Sequence, residues 1–463
     1  MTRKRHSGNR PLKTKDLRIL AGCGGTPSPR FPRSLGGGAP SPGGRGGDGR
    51  GGRGVRSGGG TLRHRKALPP PLCRFPRRAA RIRQDSALSG LLFSSYGEGT
   101  RAFRERAVKP HVLVLGAGVV GLCTALDLLE RGFGVTVLDR EGPERQSASH
   151  GNAGMIVPSH FVPLAAPGMV ALGLKWMWNP ESPFWVRPRL DADLCRWAFL
   201  FAQAATPQRV AAAAPLLRDL SLASKACFEA LAERHGNAFA FQKRGLLMLC
   251  HTAHGLDEEA RTAEAAHRLG LPAQVLSAAE TAELDPGLRM DVAGSVYFPE
   301  DAFLVPGLFL DALQRQVTEA GAEILWNTEV EGFQMKGRRI LAVRTSRGEL
   351  AAGQVALCAG FWSADLARQL GLHLPLQAGK GYSLTVERLP HRPRIAAILT
   401  EARVAVTPMG DGVRFGGTLE LGGRPGTIHP ARVRGIVRSA LRYFPDLDPQ
   451  IFTDVPVWSG LRP

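Results

Sequence analysis

Residues 111–139 read HVLVLGAGVVGLCTALDLLERGFGVTVLD, and this stretch decides the fold. The apolar letters VLVL and VTVL near its two ends predict short strands that are buried on both faces. Between them, Leu122, Leu126 and Leu129 recur at helical spacing, which predicts a helix over about 119–131. The stretch therefore predicts a strand–helix–strand unit, the repeating element of a parallel sheet covered by helices.

The turn after the first predicted strand carries glycines in the G-x-G-x-x-G spacing, at Gly116, Gly118 and Gly121. The first glycine permits a tight turn, the second lets the backbone approach a diphosphate, and the third lets the helix pack on the strand. The helix N-terminus then offers N–H groups and the positive end of its dipole to the phosphates. Asp139 lies 18 residues after Gly121, near the roughly 20 expected for a carboxylate that binds a ribose.

The same spacing also occurs at residues 44–49, GRGGDG, but no apolar run precedes that copy and no helical pattern follows it. We interpret it as a consequence of glycine-rich composition, whereas the copy at 116–121 has both flanking elements and predicts a dinucleotide site. The acidic end of the second strand suits FAD or NAD rather than NADP. Because only one such unit has a structured context, we expect a single flavin.

Positive charge is concentrated at the beginning of the chain. The sequence holds 60 Lys and Arg against 40 Asp and Glu, and residues 1–110 hold 25 against 5, which leaves 111–463 neutral. Residues 1–110 are rich in Gly, Pro and Arg, so we expect a disordered basic tail. Because the body is neutral, no nucleic-acid partner is expected. Nucleic-acid or membrane binding through the basic arm is the alternative from a different functional class.

The sequence shows no pattern typical of a membrane span or a metal site. No run of 18 apolar residues occurs, and none of the seven cysteines forms a C-x-x-C pair. We therefore expect no membrane-spanning helix and no metal ligands. Four tryptophans that lie close together in sequence are expected in the core: Trp176, Trp178, Trp185 and Trp197.

The later part of the chain mixes helical and strand patterns. Residues 277–285 begin like a capped helix, 307–321 are amphipathic, and 381–420 alternate like antiparallel strands. The predicted fold class is α/β (α+β, two domains), with a Rossmann-like FAD-binding domain and an antiparallel-sheet substrate domain. The FAD-binding domain is expected to comprise residues 111–160, 307–375 and 455–463, and the substrate domain residues 161–306 and 376–454.

Eight stretches beyond the glycine turn are distinctive: Ser149–Gly154, Ala165–Gly168, Arg187-Pro188, Lys243–Gly245, Tyr297–Asp301, Lys380–Ser383, Gly417–Glu420 and Trp458–Pro463. Together with 116–139 they resemble the D-amino-acid oxidase superfamily of flavoproteins, and within it the bacterial D-amino-acid dehydrogenase small-subunit group. The resemblance covers residues 111–463. Members of the group continue beyond the Trp458–Pro463 stretch, so we expect this chain to lack the C-terminal part of the FAD-binding domain.

The resemblance implies one bound FAD. The loop at 149–154 would run beside the flavin ring, Val330 would contact the adenine end through its backbone, and 359–360 would lie against the cofactor. The residues at matching cofactor-binding positions are Gly116, Ala117, Gly118, Val119, Gly121, Asp139, Arg140, Ser149, Asn152, Ala153, Gly154, Val330, Ala359 and Gly360.

The resemblance also implies a substrate site for a small amino acid. Arg462 matches the arginine that binds the substrate carboxylate, a role that suits the bidentate guanidinium better than a lysine. Tyr382 and Thr418 are further catalytic candidates, and His160 is a weaker one for the substrate wall. The implied reaction is oxidative deamination of D-amino acids to 2-oxo acids and ammonia, with the redox chemistry carried by FAD.

Two alternatives and the cellular setting complete these expectations. The same carboxylate-binding arginine and the same cofactor would serve a dehydrogenase or oxidase of sarcosine, glycine, proline or hydroxyproline. The resemblance further implies that electrons pass to a quinone or another respiratory-chain acceptor. It also implies a cytoplasmic enzyme associated peripherally with the inner face of the plasma membrane.

Overall fold

The computed structural model describes residues 110–187, 189, 191–422 and 426–463. The predicted basic tail therefore lies outside the described residues, apart from Pro110. Nine α-helices occur in this part of the chain: α1 (Val119–Glu130), α2 (Met169–Trp176), α3 (Ala192–Ala204), α4 (Pro207–Arg234), α5 (Ala253–Arg268), α6 (Ala278–Leu284), α7 (Pro306–Glu319), α8 (Ser363–Gln369) and α9 (Pro430–Tyr443). None of these nine combines the length and the apolarity that crossing a lipid bilayer requires.

A parallel sheet forms around the stretch that decides the fold. Its strands, numbered in chain order, are β1 (His111–Leu115), β2 (Gly134–Leu138), β9 (Glu323–Leu325) and β13 (Gln354–Leu357). The spatial order is β13-β1-β2-β9, so the chain leaves β1 towards one side and later returns to its other side. A crevice opens at such a reversal, outside the carboxyl ends of the strands, and this is where ligands bind in open α/β sheets.

Both faces of the parallel sheet are covered, which explains why its strands are uniformly apolar. Helices α1 and α7 pack on one face against Val112, Val114 and Val137. A second, antiparallel sheet packs on the other face against Leu113 and Leu115. Its strands are β10 (Val330–Lys336), β11 (Arg339–Thr345) and β12 (Gly348–Ala351).

A larger mixed sheet accounts for most of the remaining strands. Within the described residues, its order is β18-β14-β17-β16-β15-β5-β7-β6, and β4 pairs with β17. Helix α9 covers one of its faces. The strands are β4 (Phe184–Val186), β5 (Leu246–Cys250), β6 (Gln274–Ser277), β7 (Gly294–Phe298), β14 (Gly379–Val386), β15 (Ala396–Leu399), β16 (Val404–Met409), β17 (Gly412–Leu421) and β18 (Val457–Arg462). The two-residue strands β3 (Met155–Ile156) and β8 (Ala302–Phe303) pair with each other.

The predicted fold class is confirmed, because a parallel Rossmann-like sheet and a larger, mainly antiparallel sheet are both present. The capped helix after residue 277 is also confirmed: Ser277 accepts the Glu280 N–H, and the Glu280 carboxylate accepts the Ser277 N–H. The sequence predicts residues 455–463 in the FAD-binding domain, whereas the structure pairs their strand β18 antiparallel with β14 of the larger sheet.

The core prediction for the tryptophans is wrong at Trp178, whose surface is 91% exposed. Trp176, Trp185 and Trp197 are only half-buried. Trp178 follows α2, a short helix in which only Gly173 is buried, so the end of this helix has no apolar layer to pack against. Sequence proximity of aromatic residues therefore did not indicate burial here.

Helix α7 allows a test of the packing that supports the parallel sheet. Leu313 is fully buried against the sheet, so Leu313→Ala should lower the free energy of unfolding by about 2–5 kcal/mol through lost burial and an internal cavity. Urea denaturation of the purified protein measures this loss.

Leu308 lies on the same helix but is 45% exposed, and Leu308→Ala is the matched control. We expect it to change the free energy of unfolding by about 1 kcal/mol or less. Equal losses for the two variants would contradict the assigned core face of α7.

Candidate active site

The glycine turn brings two stretches of backbone into direct contact at the crevice of the parallel sheet. Gly116 has a φ of 109°, and a Cβ there would lie 2.5 Å from the carbonyl oxygen of Cys358. A Cβ on Gly121 would lie 1.8 Å from the carbonyl oxygen of Gly116. Residue 358 directly follows β13, so the turns after β1 and β13 touch where the strand order reverses. No residue with a side chain fits at positions 116 and 121.

The first turn of α1 has the features of an anion-binding site. Gly118 is the N-cap and has no side chain to satisfy the helix N–H groups, and no acidic residue occurs in the first turn. The Val119 N–H donates to Ser149 Oγ at 3.1 Å. Arg145, which is 5% exposed, donates from Nη2 to the carbonyl oxygen of Ala117 at 2.8 Å. Helix dipole and buried guanidinium together make this turn electropositive.

Asp139 lies at the end of β2, beside the glycine turn. Its Oδ2 accepts the N–H of Ala117 at 2.8 Å, and its Oδ1 accepts the N–H of Glu141 at 3.0 Å. The carboxylate is only half-buried, so free lone pairs remain for ribose hydroxyls. The Thr328 N–H donates to the Asp139 carbonyl oxygen. This bond brings the start of β10, where Val330 lies two residues after Thr328, close to the end of β2.

Arg140 extends from the end of β2 towards the residues after β13. Its guanidinium carbon lies 3.7 Å from the ring centroid of Trp362, in a short 3-10 helix over Gly360–Trp362. Gly360 is exposed, has a φ of 56°, and has no atom within 4 Å of a Cβ position. Ala359 and Gly360 therefore form an open ledge above the crevice, opposite the glycine turn.

The loop at 149–154 is closed by its own asparagine. Asn152 donates from Nδ2 to the Ser149 carbonyl at 2.7 Å and accepts the Gly154 N–H at 2.6 Å. Gly154 has a φ of 69°, and a Cβ there would lie 2.2 Å from the Leu304 carbonyl oxygen. Ala153 lies between these two anchored residues, beside the start of α1.

The opposite side of this loop rests on the larger sheet. Arg414 Nη1 donates to the carbonyl oxygens of His150 and Asn152, both at 2.8 Å, and Ser383 Oγ donates to the Gly151 carbonyl at 3.0 Å. Burial lowers the pKa of Arg414. Sequence reasoning missed this arginine. The available signal was a charged residue between the apolar Val413 and Phe415 of a strand.

These features fit an FAD. The glycine turn leaves room for a diphosphate, the helix start and Arg145 supply positive charge, and Asp139 supplies a ribose ligand. The loop at 149–154 and the ledge at 359–360 lie on either side of the space that the flavin end of the cofactor would occupy. Arg145 was also missed from the sequence, because no motif includes it.

Arg462, in β18, lies on the face of the larger sheet that contacts the loop at 149–154. Its guanidinium packs over Gly381 of β14, where a Cβ would be 3.2 Å from Nη2. The residue keeps solvent-accessible surface, but surrounding protein desolvates the guanidinium and lowers the pKa of Arg462. An arginine remains cationic at neutral pH all the same. The glycine at 381 thus makes space for a positively charged group beside the flavin loop.

Thr418 holds Arg462 through its backbone. The pairing of β14 with β17 is irregular between Lys380 and Tyr382, and opposite this bulge Thr418 adopts a φ of 70°. Its carbonyl oxygen accepts from Arg462 Nη2 at 3.0 Å. The structure therefore places Thr418 at the predicted site, with its carbonyl rather than its hydroxyl in contact with the arginine.

Tyr382 lies on the other face of the same sheet. It is 2% exposed, packs in the core beneath α9, and donates its hydroxyl to Glu420 Oε2 at 2.7 Å. Lys380 Nζ lies 3.5 Å from the same carboxylate oxygen. Burial, and then Glu420, raise the pKa of Tyr382, whereas burial lowers the pKa of Lys380. This position separates Tyr382 from Arg462 by the thickness of the sheet, so its effect on a substrate would be indirect.

His160 belongs to a short polar chain beside β3. Its Nδ1 lies 3.1 Å from Ser159 Oγ, which donates in turn to Asp301 Oδ2. Although His160 keeps accessible surface, desolvation and the charge of Arg403 lower its pKa to about 4. Burial raises the pKa of Asp301 to about 7. His160 is therefore neutral at physiological pH and adds no positive charge to the site.

Comparison with known proteins assigns the family. The family described as DAO, FAD dependent oxidoreductase, matches residues 111–463. The chain belongs to the DAO family of FAD-dependent oxidoreductases. The resemblance inferred from the motifs is confirmed, and so is FAD as the cofactor.

Two relatives of this DAO-family chain are similar over most of their length. A protein named D-amino acid dehydrogenase from Granulibacter bethesdensis is 33% identical over 362 residues, 76% of this chain and 85% of that protein. Another of the same name from Cereibacter sphaeroides is 33% identical over 361 residues, 76% of this chain and 82% of that protein.

Solved structures share the fold at lower identity. Glycine oxidase from Geobacillus kaustophilus has a TM-score of 0.56 and 22% identity, with 77% of this chain and 83% of that chain covered. L-alpha-glycerophosphate oxidase from Mycoplasma pneumoniae, solved with FAD bound, has a TM-score of 0.54 and 17% identity, with the same coverage. At these identities the likeness extends to the fold alone.

The contact between Gly121 and Gly116 predicts the effect of adding one methyl group. Gly121→Ala should force the glycine turn away from the start of α1, because the new Cβ would overlap the Gly116 carbonyl. We expect the dissociation constant for FAD to rise at least about tenfold, a change of about 1.4 kcal/mol. Visible absorbance during FAD titration of the purified protein measures it.

Gly353→Ala is the matched control, because Gly353 also has an ordinary φ and a Cβ there has open space around it. We expect this variant to bind FAD like the unmodified protein. Unchanged FAD affinity in Gly121→Ala would remove the glycine turn from the cofactor site.

Proposed function

We propose that this protein catalyses the FAD-dependent oxidative deamination of D-amino acids to 2-oxo acids and ammonia. The observation that carries the proposal is the guanidinium of Arg462, which packs over Gly381 and donates to the Thr418 carbonyl on the sheet face that contacts the flavin loop. Two relatives named D-amino acid dehydrogenase, each 33% identical to this chain, support the substrate class.

Arg462 would bind the substrate carboxylate. A guanidinium can donate two parallel hydrogen bonds to a carboxylate, and this fixes the orientation of the ligand as well as its position. The Thr418 carbonyl occupies one N–H of Nη2 and prevents the guanidinium from rotating on Gly381. The other N–H groups remain for the substrate, so the clamp is already oriented before the substrate arrives.

The reaction then depends on how the substrate Cα is presented. When bound, FAD would supply the two-electron oxidant for the Cα–H bond. The substrate ammonium would first release a proton to water, so that the nitrogen lone pair could form the C=N bond as the Cα–H bond breaks. If Arg462 binds the carboxylate, the substrate Cα is held at a fixed distance from the loop at 149–154. This restriction lowers the entropic part of the activation free energy. Water then hydrolyses the imine to the 2-oxo acid and ammonia.

The fate of the electrons is part of the same proposal. The relatives are named dehydrogenases, which supports an acceptor such as a quinone rather than molecular oxygen. We place the enzyme in the cytoplasm, in peripheral contact with the inner face of the membrane where such an acceptor lies. Anaerobic bleaching of the flavin by a panel of D- and L-amino acids, glycine, sarcosine and proline tests the substrate. Reoxidation by a quinone analogue or by oxygen then tests the acceptor.

The carboxylate clamp is tested by Arg462→Lys. A lysine keeps the charge but loses the bidentate geometry, so the variant should lose about 1.5–3 kcal/mol of binding, or about 10- to 150-fold in kcat/KM for D-amino acids. Because the clamp holds the ground state too, most of the change should appear in KM. Steady-state rates with a dye acceptor measure both constants.

Arg289→Lys is the matched control, because Arg289 is 66% exposed and pairs with Asp446 on the surface. It should leave both constants unchanged. FAD content must be equal in all three proteins. If Arg462→Lys kept its kcat/KM under those conditions, Arg462 would not bind the carboxylate.

A further inference from the structure

An apolar segment with almost no charge lies exposed around α2. Residues 161–180 read FVPLAAPGMVALGLKWMWNP and contain a single charged residue, Lys175. Val170 and Leu174 of α2 are 45% and 57% exposed, and Trp178, in the turn that follows, is 91% exposed. These three residues recur every four positions, so they lie along one side of the helix and its final turn. Rows of large apolar side chains in water mark surfaces that bind a partner.

The turn after α2 is fixed against α9. Buried Arg432 of α9 donates from Nη1 to the carbonyl oxygen of Ser182 at 2.7 Å, and to its Oγ at 3.0 Å. A Cβ on Gly435 would lie 2.3 Å from the carbonyl oxygen of Glu181, so the two backbones touch there. Trp178 is three residues before Glu181, and three Cα–Cα steps span at most about 11 Å. The exposed tryptophan therefore lies beside α9.

The solvent side of α9 carries a row of arginines. Arg434, Arg438 and Arg442 are exposed and recur every four residues, and α9 contains no acidic residue. Glu181 pairs with two of them, at 3.6 Å to Arg434 and 2.6 Å to Arg438. The first acidic residue after the helix, Asp446, pairs with a different arginine. Among the described residues no ion pair within 4.0 Å involves Arg442, so the row keeps a net positive charge.

The apolar row and the arginine row are neighbours, because Glu181 follows Trp178 by three residues and binds two of the arginines. Together they form what we term the α2–α9 surface: Val170, Leu174, Trp178, Arg434, Arg438 and Arg442. A lipid bilayer presents phosphates at its surface and hydrocarbon beneath them. It therefore fits a protein surface on which exposed apolar side chains lie beside exposed cations.

We propose that the α2–α9 surface docks the protein onto a bilayer that contains anionic lipids. The arginines would bind lipid phosphates, whose geometry the guanidinium fork matches. The apolar row would enter the boundary between headgroups and acyl chains, where tryptophan is favoured. Charge attraction and apolar burial add to each other, so the two rows together bind more stably than either row alone.

This inference rests on the peripheral membrane contact in the proposed function and names the surface that makes it. It differs from attraction through residues 1–110, whose 25 Lys and Arg against 5 acidic residues would bind anionic lipid by charge alone. Docking through the α2–α9 surface places Trp178 at the lipid boundary. Attachment through residues 1–110 alone would leave Trp178 in water, and this difference can be measured.

The first test is quenching of tryptophan fluorescence in the full-length, FAD-loaded protein by vesicles with brominated acyl chains. The vesicles contain phosphatidylcholine and phosphatidylglycerol in equal amounts. The structure describes all seven tryptophans, and Trp178 is exposed whereas the other six are half-buried. We expect brominated vesicles to quench the emission of the bound protein. Trp178→Phe should lose most of this quenching while it still binds, because phenylalanine keeps the apolar contact.

The apolar row is tested by a matched pair of leucines. Leu174 and Leu372 are 57% and 58% exposed, and Leu372 lies after α8, outside the α2–α9 surface. In co-sedimentation with the same vesicles at physiological salt, Leu174→Ser should lower the partition coefficient about tenfold through lost apolar burial. Leu372→Ser should leave it unchanged.

The arginine row is tested by a matched pair of double variants. Arg438→Gln with Arg442→Gln should lower the partition coefficient at least about tenfold, because each arginine near an anionic surface contributes to binding. Arg261→Gln with Arg268→Gln removes two exposed arginines of α5 and should leave it unchanged. Vesicles of phosphatidylcholine alone should bind the unmodified protein more weakly than the mixed vesicles.

Several results would overturn the proposal. Vesicle binding without quenching would assign the contact to residues 1–110, and equal partition coefficients within either matched pair would exclude the α2–α9 surface. If Leu174→Ser abolished self-association of the lipid-free protein in light scattering, the surface would join two copies of the chain instead. No substrate is present in these assays. A failure of D-amino acids to bleach the flavin would therefore contradict the proposed reaction without changing the outcome here.

Discussion

The structure depends on one close approach of backbone to backbone, between the turn after β1 and the residue after β13. The Cβ positions of Gly116 and Gly121 are already occupied by carbonyl oxygens, so two glycines set the depth of the crevice. Moving α1 outward by even the width of a methyl group would separate its N-terminus from the strand ends. The positive end of the helix, the Asp139 carboxylate and the ledge at 359–360 face one ligand only because this contact is so short.

The second constraint joins the cofactor sheet to the larger sheet. The loop at 149–154 contacts α1 through Ser149 and contacts the larger sheet through Arg414 and Ser383. Half-buried Arg414 donates to two loop carbonyls, and losing these partners would leave a partly desolvated charge unpaired. The distance between the glycine turn and Arg462 is thereby set by hydrogen bonds rather than by domain packing alone. A cofactor that lies along this loop would have one orientation relative to the substrate clamp.

Local patterns predicted what depends on neighbours in sequence. The glycine spacing, the helix after it and the capped helix at Ser277 each follow from a few consecutive residues, and each is present. Strand pairing was harder, because the partner of β18 lies some 80 residues earlier in the chain. The bulge between Lys380 and Tyr382 decides that Tyr382 faces the core while the Thr418 carbonyl faces Arg462. No local signal in the sequence marks such a bulge or distinguishes the two sheet faces.

The net charge of residues 111–463 does not describe the charge at individual sites, and ligands respond to the charge at the site. Residues 111–463 hold equal numbers of acidic and basic residues, which argues against attraction to a polyanion over long distances. Yet Arg145 and Arg462 each lie where the described residues form no ion pair with them within 4.0 Å. Charges separated by more than about 10 Å are screened in physiological salt, so each arginine acts on its own surroundings. A neutral body can therefore hold several distinct anion sites, each selective through geometry rather than through the overall field.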